Sequence, residues 1–271
     1  MSTYETSHRA RTFDEVVGML KRKLKFSDWP LREGEFVPGF SPEEKPSGVL
    51  ADYQLERKKL VPPTISRVTR RYIYRKVDSR LGLDLTVIVG QTGARDAAEG
   101  LIQLIAASQM RSEPRVDFQA VGDVTVYRQP DTDQSLAFLR NNIGISIEGY
   151  GHPDGQLPIR ELAKQIDAQI RETPTSETLT DQERVPKIQV FQGKTTRLKA
   201  GERADLIIEV QDNYPPQDWL FHAINGSYNQ DPKGDTWYFR AGHEKGSAEV
   251  ALTVVNNLNL MTTAHVTLTI E

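Results

Sequence analysis

SLAFLRNNIGISIEGYGHPDGQLPIRELAKQIDAQIRE, residues 135–172, is the stretch on which the reading of the fold turns. Ile143, Ile145 and Ile147 alternate with Gly144, Ser146 and Glu148, so one side of a pleat is apolar and the other small or polar. Gly149, Gly151, Pro153 and Gly155 then end the strand in a turn. Beyond them Ile159, Leu162, Ala163, Ile166 and Ile170 recur at helical spacing, with Arg160, Glu161, Lys164 and Gln165 turned away. A strand and a helix that each hide one face require a sheet and a packing partner. No catalytic pattern runs through the stretch.

Upstream, two strands are expected near 68–76 and 83–89, the second more apolar and therefore more central. Gly90 and Gly93 turn the chain into a helix of about 15 residues, rich in Ala97, Ala98, Leu101, Ile102 and Ile105. A third strand is expected at 120–128. Residues 67–110 and 120–172 thus share one order: strand, connection, strand, glycine turn, helix. That order predicts an α+β domain over 1–172, a four-stranded, mainly antiparallel sheet with helices on one face. A further helix starts at Thr12, a capping residue, with Asp14 and Glu15 in its first turn and Lys21, Arg22, Lys23 and Lys25 at its end. Residues 27–63, broken by six prolines, read as an irregular wrap over the domain.

Downstream, residues 173–186 are rich in Thr, Ser and acids and bounded by Pro174 and Pro186, the composition of a linker. After it the period changes. IQVFQ, ADLIIEV, DWLFHAI, DTWYFRA, AEVALTVVN and AHVTLTIE are short, alternating and separated by turn residues. With a short segment at 195–198, this predicts seven strands over 187–271.

The sequence has 271 residues, 38% hydrophobic and 26% charged, with a net charge of −3. Globally this gives no argument for a nucleic-acid or membrane surface. Locally, residues 1–80 carry 17 Lys and Arg against 11 Asp and Glu, a balance of +6, which leaves −9 on the rest. The absence of cysteine excludes disulfides, thiol catalysis and Cys-ligated metal. No apolar run is long enough to span a bilayer. The protein is extracytoplasmic if a leader preceded Met1 and cytoplasmic otherwise.

Two resemblances add to this. VFQGKTTRLKAGERADLIIEVQD and GSAEVALTVVNNLNLMTTAHVTLTI, which open and close residues 187–271, resemble the Ig-like modules of bacterial cell-envelope and extracellular proteins. The resemblance implies a β-sandwich without the antibody-type cysteines, and use in an envelope or extracellular setting. The amino-terminal part resembles, more distantly, α+β domains of the PsbP/Mog1 type, and no residue role is carried across.

Three groups of residues are candidates for chemistry. Glu148, His152 and Asp154, at a strand end and in its turn, could serve acid–base catalysis, although His-Pro-Asp-Gly is equally an ordinary turn. Gly90-Gln91-Thr92-Gly93 lacks both the dinucleotide and the P-loop patterns and reads as a turn. Trp219, His222, Tyr228, Trp237 and Tyr238, near Asn225, Asn229 and Asp235, could contact a sugar or a protein. Alternation in DTWYFRA places Trp237 and Phe239 inward and Tyr238 and Arg240 outward, which makes Tyr238, Arg240, Tyr228 and His222 the binding candidates. No cofactor loop or metal-spaced cluster is present. The reading is a non-enzymatic binding or assembly protein of a bacterial envelope, secretion or extracellular system, with a protein or glycan partner and no nucleic acid. The alternatives are a hydrolase or transferase acting through Glu148, His152 and Asp154, and a cytoplasmic adaptor whose basic amino-terminal region docks an acidic partner.

Overall fold

The computed structural model describes residues 12–32, 34–42, 48–108, 114–127, 134–151, 157–176, 183–234 and 236–271. Among them, the amino-terminal half forms one seven-stranded sheet, ordered β1-β2-β3-β7-β6-β5-β4 and antiparallel throughout. Its strands are β1 (Tyr53–Thr64), β2 (Arg67–Lys76), β3 (Gly82–Gly90), β4 (Arg115–Asp117), β5 (Val124–Tyr127), β6 (Ser135–Arg140) and β7 (Ile143–Tyr150). The expected four-stranded sheet is therefore corrected to seven strands. The antiparallel pairing stands.

Three physical causes account for the extra strands. Pro62 and Pro63 argue against a strand, yet both fall in the break of register between Val61 and Thr64, near the end of the edge strand β1, where prolines are tolerated. The single strand expected up to Glu148 is a hairpin, β6 and β7, turning at Asn141 and Asn142 with Asn141 at φ +50. Asparagine tolerates this left-handed conformation, so the turn carries no glycine signal. β4, with three residues, is too short to show a period.

The helices are α1 (Phe13–Lys23), α2 (Ala94–Ala107) and α3 (Ile159–Glu172). They do not share one face. Val87, Ile145 and Phe138 point toward α3, whereas their neighbours Ile88 and Ala137 point toward α2 and α1. The central strands are buried on both sides because a layer lies on each, giving three layers with the sheet in the middle. Thr12 and Glu15 form a reciprocal capping box at α1.

The segment around Val37 and Phe40, before β1, lies on the α3 side, whereas Phe26 and Trp29 pack with α2. Buried Asn142 fixes the Val37 segment: its Oδ1 accepts from the Val37 amide at 2.7 Å, and its Nδ2 donates to the carbonyls of Val37 and Gly90 at 3.2 and 3.1 Å. Val37, Phe40, Leu50 and Tyr53 then complete the core over the sheet.

The carboxy-terminal half has two four-stranded sheets sharing one core. One is β12-β13-β10-β8, from Gly226–Gln230, Trp237–Ala241, Arg203–Gln211 and Lys187–Gly193. The other is β11-β14-β15-β9, from Asp218–Ile224, Gly246–Val255, Met261–Ile270 and Arg197–Leu198. β9 runs parallel to β15. Eight strands stand where seven were expected, because the exposed polar strand β12 shows no apolar alternation. The halves meet at the turn between β14 and β15, where Leu260 enters the amino-terminal core.

Candidate functional site

On the outer face of β12-β13-β10, register brings Asn229, Tyr238 and Asp205 into one row and Ser227, Arg240 and Arg203 into the next. Their inward neighbours Ala204 and Phe239 are buried, so this face is directed to solvent. The Arg203 guanidinium lies over the Tyr238 ring, 4.0 Å from its centroid, and also meets Asp205 at 2.8 Å and Asp231 at 3.8 Å. Lys194 approaches Asp205 at 3.5 Å. The Arg203 hydrogen bond, followed by burial acting the other way, sets Asp205: its pKa is lowered from 3.8. Arg240 is exposed and has no carboxylate partner among the described residues. The face is polar, and the guanidinium–ring stack ties Arg203 to Tyr238.

Tyr228 and His222 do not join this surface. Tyr228 pairs with Phe239 and faces inward at the open edge of the sandwich, 41% exposed, with its ring 5.3 Å from Phe221 and 6.4 Å from Trp237. Trp237 stacks on Phe221 at 4.4 Å, partly buried against the core, and Trp219 packs against the same core. His222 is exposed on the opposite sheet, in a row with Ala251 and His265. His265 meets Glu249 at 2.6 Å. Asn225, the acceptor position of an Asn-Gly-Ser sequon, sits at φ +55 and donates through Nδ2 to the carbonyls of Glu244 at 2.8 Å and Ser247 at 3.3 Å. Its amide is committed to holding the β11–β12 corner.

His152, Asp154 and Asp235 lie outside the described residues. Glu148 lines a small groove with Arg71, Asp84, Thr86 and Ser146 at the end of α2. Register places Asp84 opposite Glu148 and Thr86 opposite Ser146. Arg71 grips Asp84 with both nitrogens and has its pKa raised, first through that hydrogen bond. The groove holds about 190 Å³, less than the ~300 Å³ at the low end of ligand clefts.

Gln91, in the turn between β3 and α2, donates from Nε2 to the carbonyls of Val89 at 3.2 Å and Asn259 at 3.1 Å, and its Oε1 accepts from the Met261 amide at 3.3 Å. The glycine turn thus ties the two halves together. Among the described residues no group of three His, Asp or Glu side chains could hold a metal ion.

Sequence reasoning missed Arg203 and Asp205. Their signal was the alternation Arg-Ala-Asp-Leu in β10, which puts both on the Tyr238 side once the register is known.

No family model matches the chain, and no curated protein matches it. Solved structures resemble it, among them these two. A polysaccharide lyase matches at 9% identity and TM-score 0.22, over 81% of this chain and 34% of the other. A SusE-like, surface-located polysaccharide-binding protein from the heparin utilisation locus of Bacteroides thetaiotaomicron matches at 13% identity and TM-score 0.21, over 84% and 37%. The chain spans about a third of the length of each. Likenesses at this TM-score carry no argument for fold or function.

Proposed function

We propose that the protein is a non-enzymatic binding module. Its contact surface is the outer face of β12-β13-β10, with Tyr238 and Arg240 as anchors. The observation that carries this reading is the Arg203 guanidinium 4.0 Å above the Tyr238 ring on a solvent-facing strand. The stack supports no core beneath it, yet it holds an aromatic side chain in one orientation beside Asn229, Asp205 and Arg240, which has no carboxylate partner among the described residues. A preoriented tyrosine flanked by arginine loses little side-chain freedom when a partner covers it. The small groove at Glu148 favours binding over turnover.

In the same reading the chain is two domains divided near 173–186, and the second is Ig-like. Support comes from the strand orders β12-β13-β10-β8 and β11-β14-β15-β9 and from the short β9 crossing to lie parallel to β15. The partner is a protein or a glycan presented outside the cytoplasm.

The test is retention on the immobilised protein, read with glycan arrays and with extract from the native source. Wild type, Tyr238→Ala and His222→Ala are compared, each with the same melting temperature. Loss of a ligand with Tyr238→Ala and its retention with His222→Ala support the surface. Equal retention by all three removes it.

A further inference from the structure

Away from the sandwich, the end of α1, residues 25–32 and 34–36 and the first turn of α2 enclose an open cleft of about 1250 Å³. Among the described residues its lining carries five cations, Lys21, Arg22, Lys25, Arg32 and Arg95, against two carboxylates, Asp28 and Asp96. In the sequence the run at 21–25 is explained as a helix end; in the fold three of its cations share one concavity with Arg32 and Arg95. Lys21 is engaged by Glu99 at 3.1 Å, and Arg32 by Glu35 at 3.2 Å. Arg22, Lys25 and Arg95 are exposed and have no carboxylate partner among the described residues. Lys25 also stands at φ +48, an uncommon conformation for a residue other than glycine.

The chemistry of the lining selects among anions. A lone phosphate lacks a seat at the first turn of α2, because the Asp96 carboxylate already takes the Thr92 amide at 3.0 Å, and its hydroxyl as well. Among the described residues a nucleic acid finds only the half-buried Phe36 to stack on: Phe26 and Trp29 are buried, and Trp29 Nε1 is bound to the Leu24 carbonyl at 2.9 Å. What remains accessible is Arg22, Lys25 and Arg95, without a carboxylate partner among the described residues, beside the half-buried Leu31 and Phe36. The volume exceeds the ~300–1,000 Å³ of small-molecule clefts.

We propose that this cleft seats an acidic polypeptide segment of a partner protein. Its carboxylates pair with Arg22, Lys25 and Arg95, and its apolar side chains rest on Leu31 and Phe36. This is a second surface, independent of the one at Tyr238.

The experiment uses the full chain and a fluorescent peptide of alternating Glu and Leu, read by anisotropy. A Lys/Leu peptide, inorganic phosphate and a single-stranded oligonucleotide are the comparison probes. Binding of the Glu/Leu peptide that weakens with salt, and falls at least about tenfold in the triple variant Arg22→Glu, Lys25→Glu, Arg95→Glu, supports the proposal. The charge-matched triple variant Lys187→Glu, Lys233→Glu, Lys245→Glu should bind as wild type. If the first variant melts early, the Gln triple variant replaces it, with the same direction expected. Equal loss in both charge-reversed variants, tighter binding of the oligonucleotide, or full displacement by millimolar phosphate would each overturn the proposal.

Discussion

Arg70, on β2, donates from Nε to Oδ1 of Asn259 at 2.6 Å, joining the amino-terminal sheet to the turn between β14 and β15. Arg70 is 3% exposed and also reaches the Asn256 carbonyl at 3.2 Å and Asp218 at 2.7 Å. Asn259, at φ +60, passes the connection on by donating to the Phe40 carbonyl at 2.7 Å. Truncation of Arg70 leaves the buried Oδ1 of Asn259 without its donor, while the Asn256 carbonyl keeps the Asn259 amide at 3.1 Å and the half-exposed Asp218 turns to water. Arg70→Ala should destabilise by about 2–4 kcal/mol. Arg70→Met keeps the aliphatic stem and should cost less. Urea unfolding measures both; equal stability of Arg70→Ala and wild type contradicts a structural role for this contact.

The same turn bears on the proposed linker. Because Leu260 packs in the amino-terminal core and Lys58 donates to Asn257 at 2.6 Å, protease cleavage within 173–186 should yield two fragments that still co-elute on gel filtration. Arg70→Ala should let them separate, and the carboxy-terminal fragment should be β-rich by circular dichroism. Fragments that separate from the wild-type chain would show that the turn contributes little.

How far the fold was legible follows from these residues. Strands β2 and β7 announced themselves by alternation, β3 by its apolar run, and α3 by its stripe. The sheet was read too small because Pro62 and Pro63 mask an edge strand and Asn141 replaces the expected glycine. The side on which a helix packs depends on strand parity within the assembled sheet, which a local pattern does not carry. The polar residues of the Asn256–Leu260 turn carry no local signal of burial; only the fold shows Asn256 and Asn259 fully buried. Of the four binding candidates, Tyr238 and Arg240 share a face, while register sends Tyr228 inward and His222 to the other sheet.

Phe239 is fully buried at the centre of the second core, and a Cβ added to Gly226 meets its ring at 2.2 Å and the Arg240 carbonyl at 2.6 Å. Phe239→Ala should cost about 3–5 kcal/mol. Gly226→Ala should destabilise by about 1–3 kcal/mol through overpacking. Trp237→Ala should cost less than Phe239→Ala, since Trp237 is only partly buried. Thermal melts order the three; a Tyr238→Ala protein melting earliest would place the strand one residue out of register.

Asp205 offers a test by pH. Its pKa lies below the ordinary value because Arg203 hydrogen-bonds the charged form. A downward shift means that the ion pair contributes fully above the ordinary carboxylate pKa and is lost as pH falls through the lowered one. Arg203→Gln should move the Asp205 titration upward and release the Tyr238 ring. Carboxyl-carbon NMR reads the first and the tyrosine ring shifts read the second. An unmoved titration contradicts the assignment.

The central claim is that a partner covers the outer face of β12-β13-β10. Hydroxyl-radical footprinting of the complex with the retained partner tests it most directly, because it reports side chains one by one. The account predicts that oxidation of Tyr238 falls on binding while that of His222 and Tyr150 is unchanged. Protection of His222 or Tyr150, with Tyr238 still fully reactive, would contradict it.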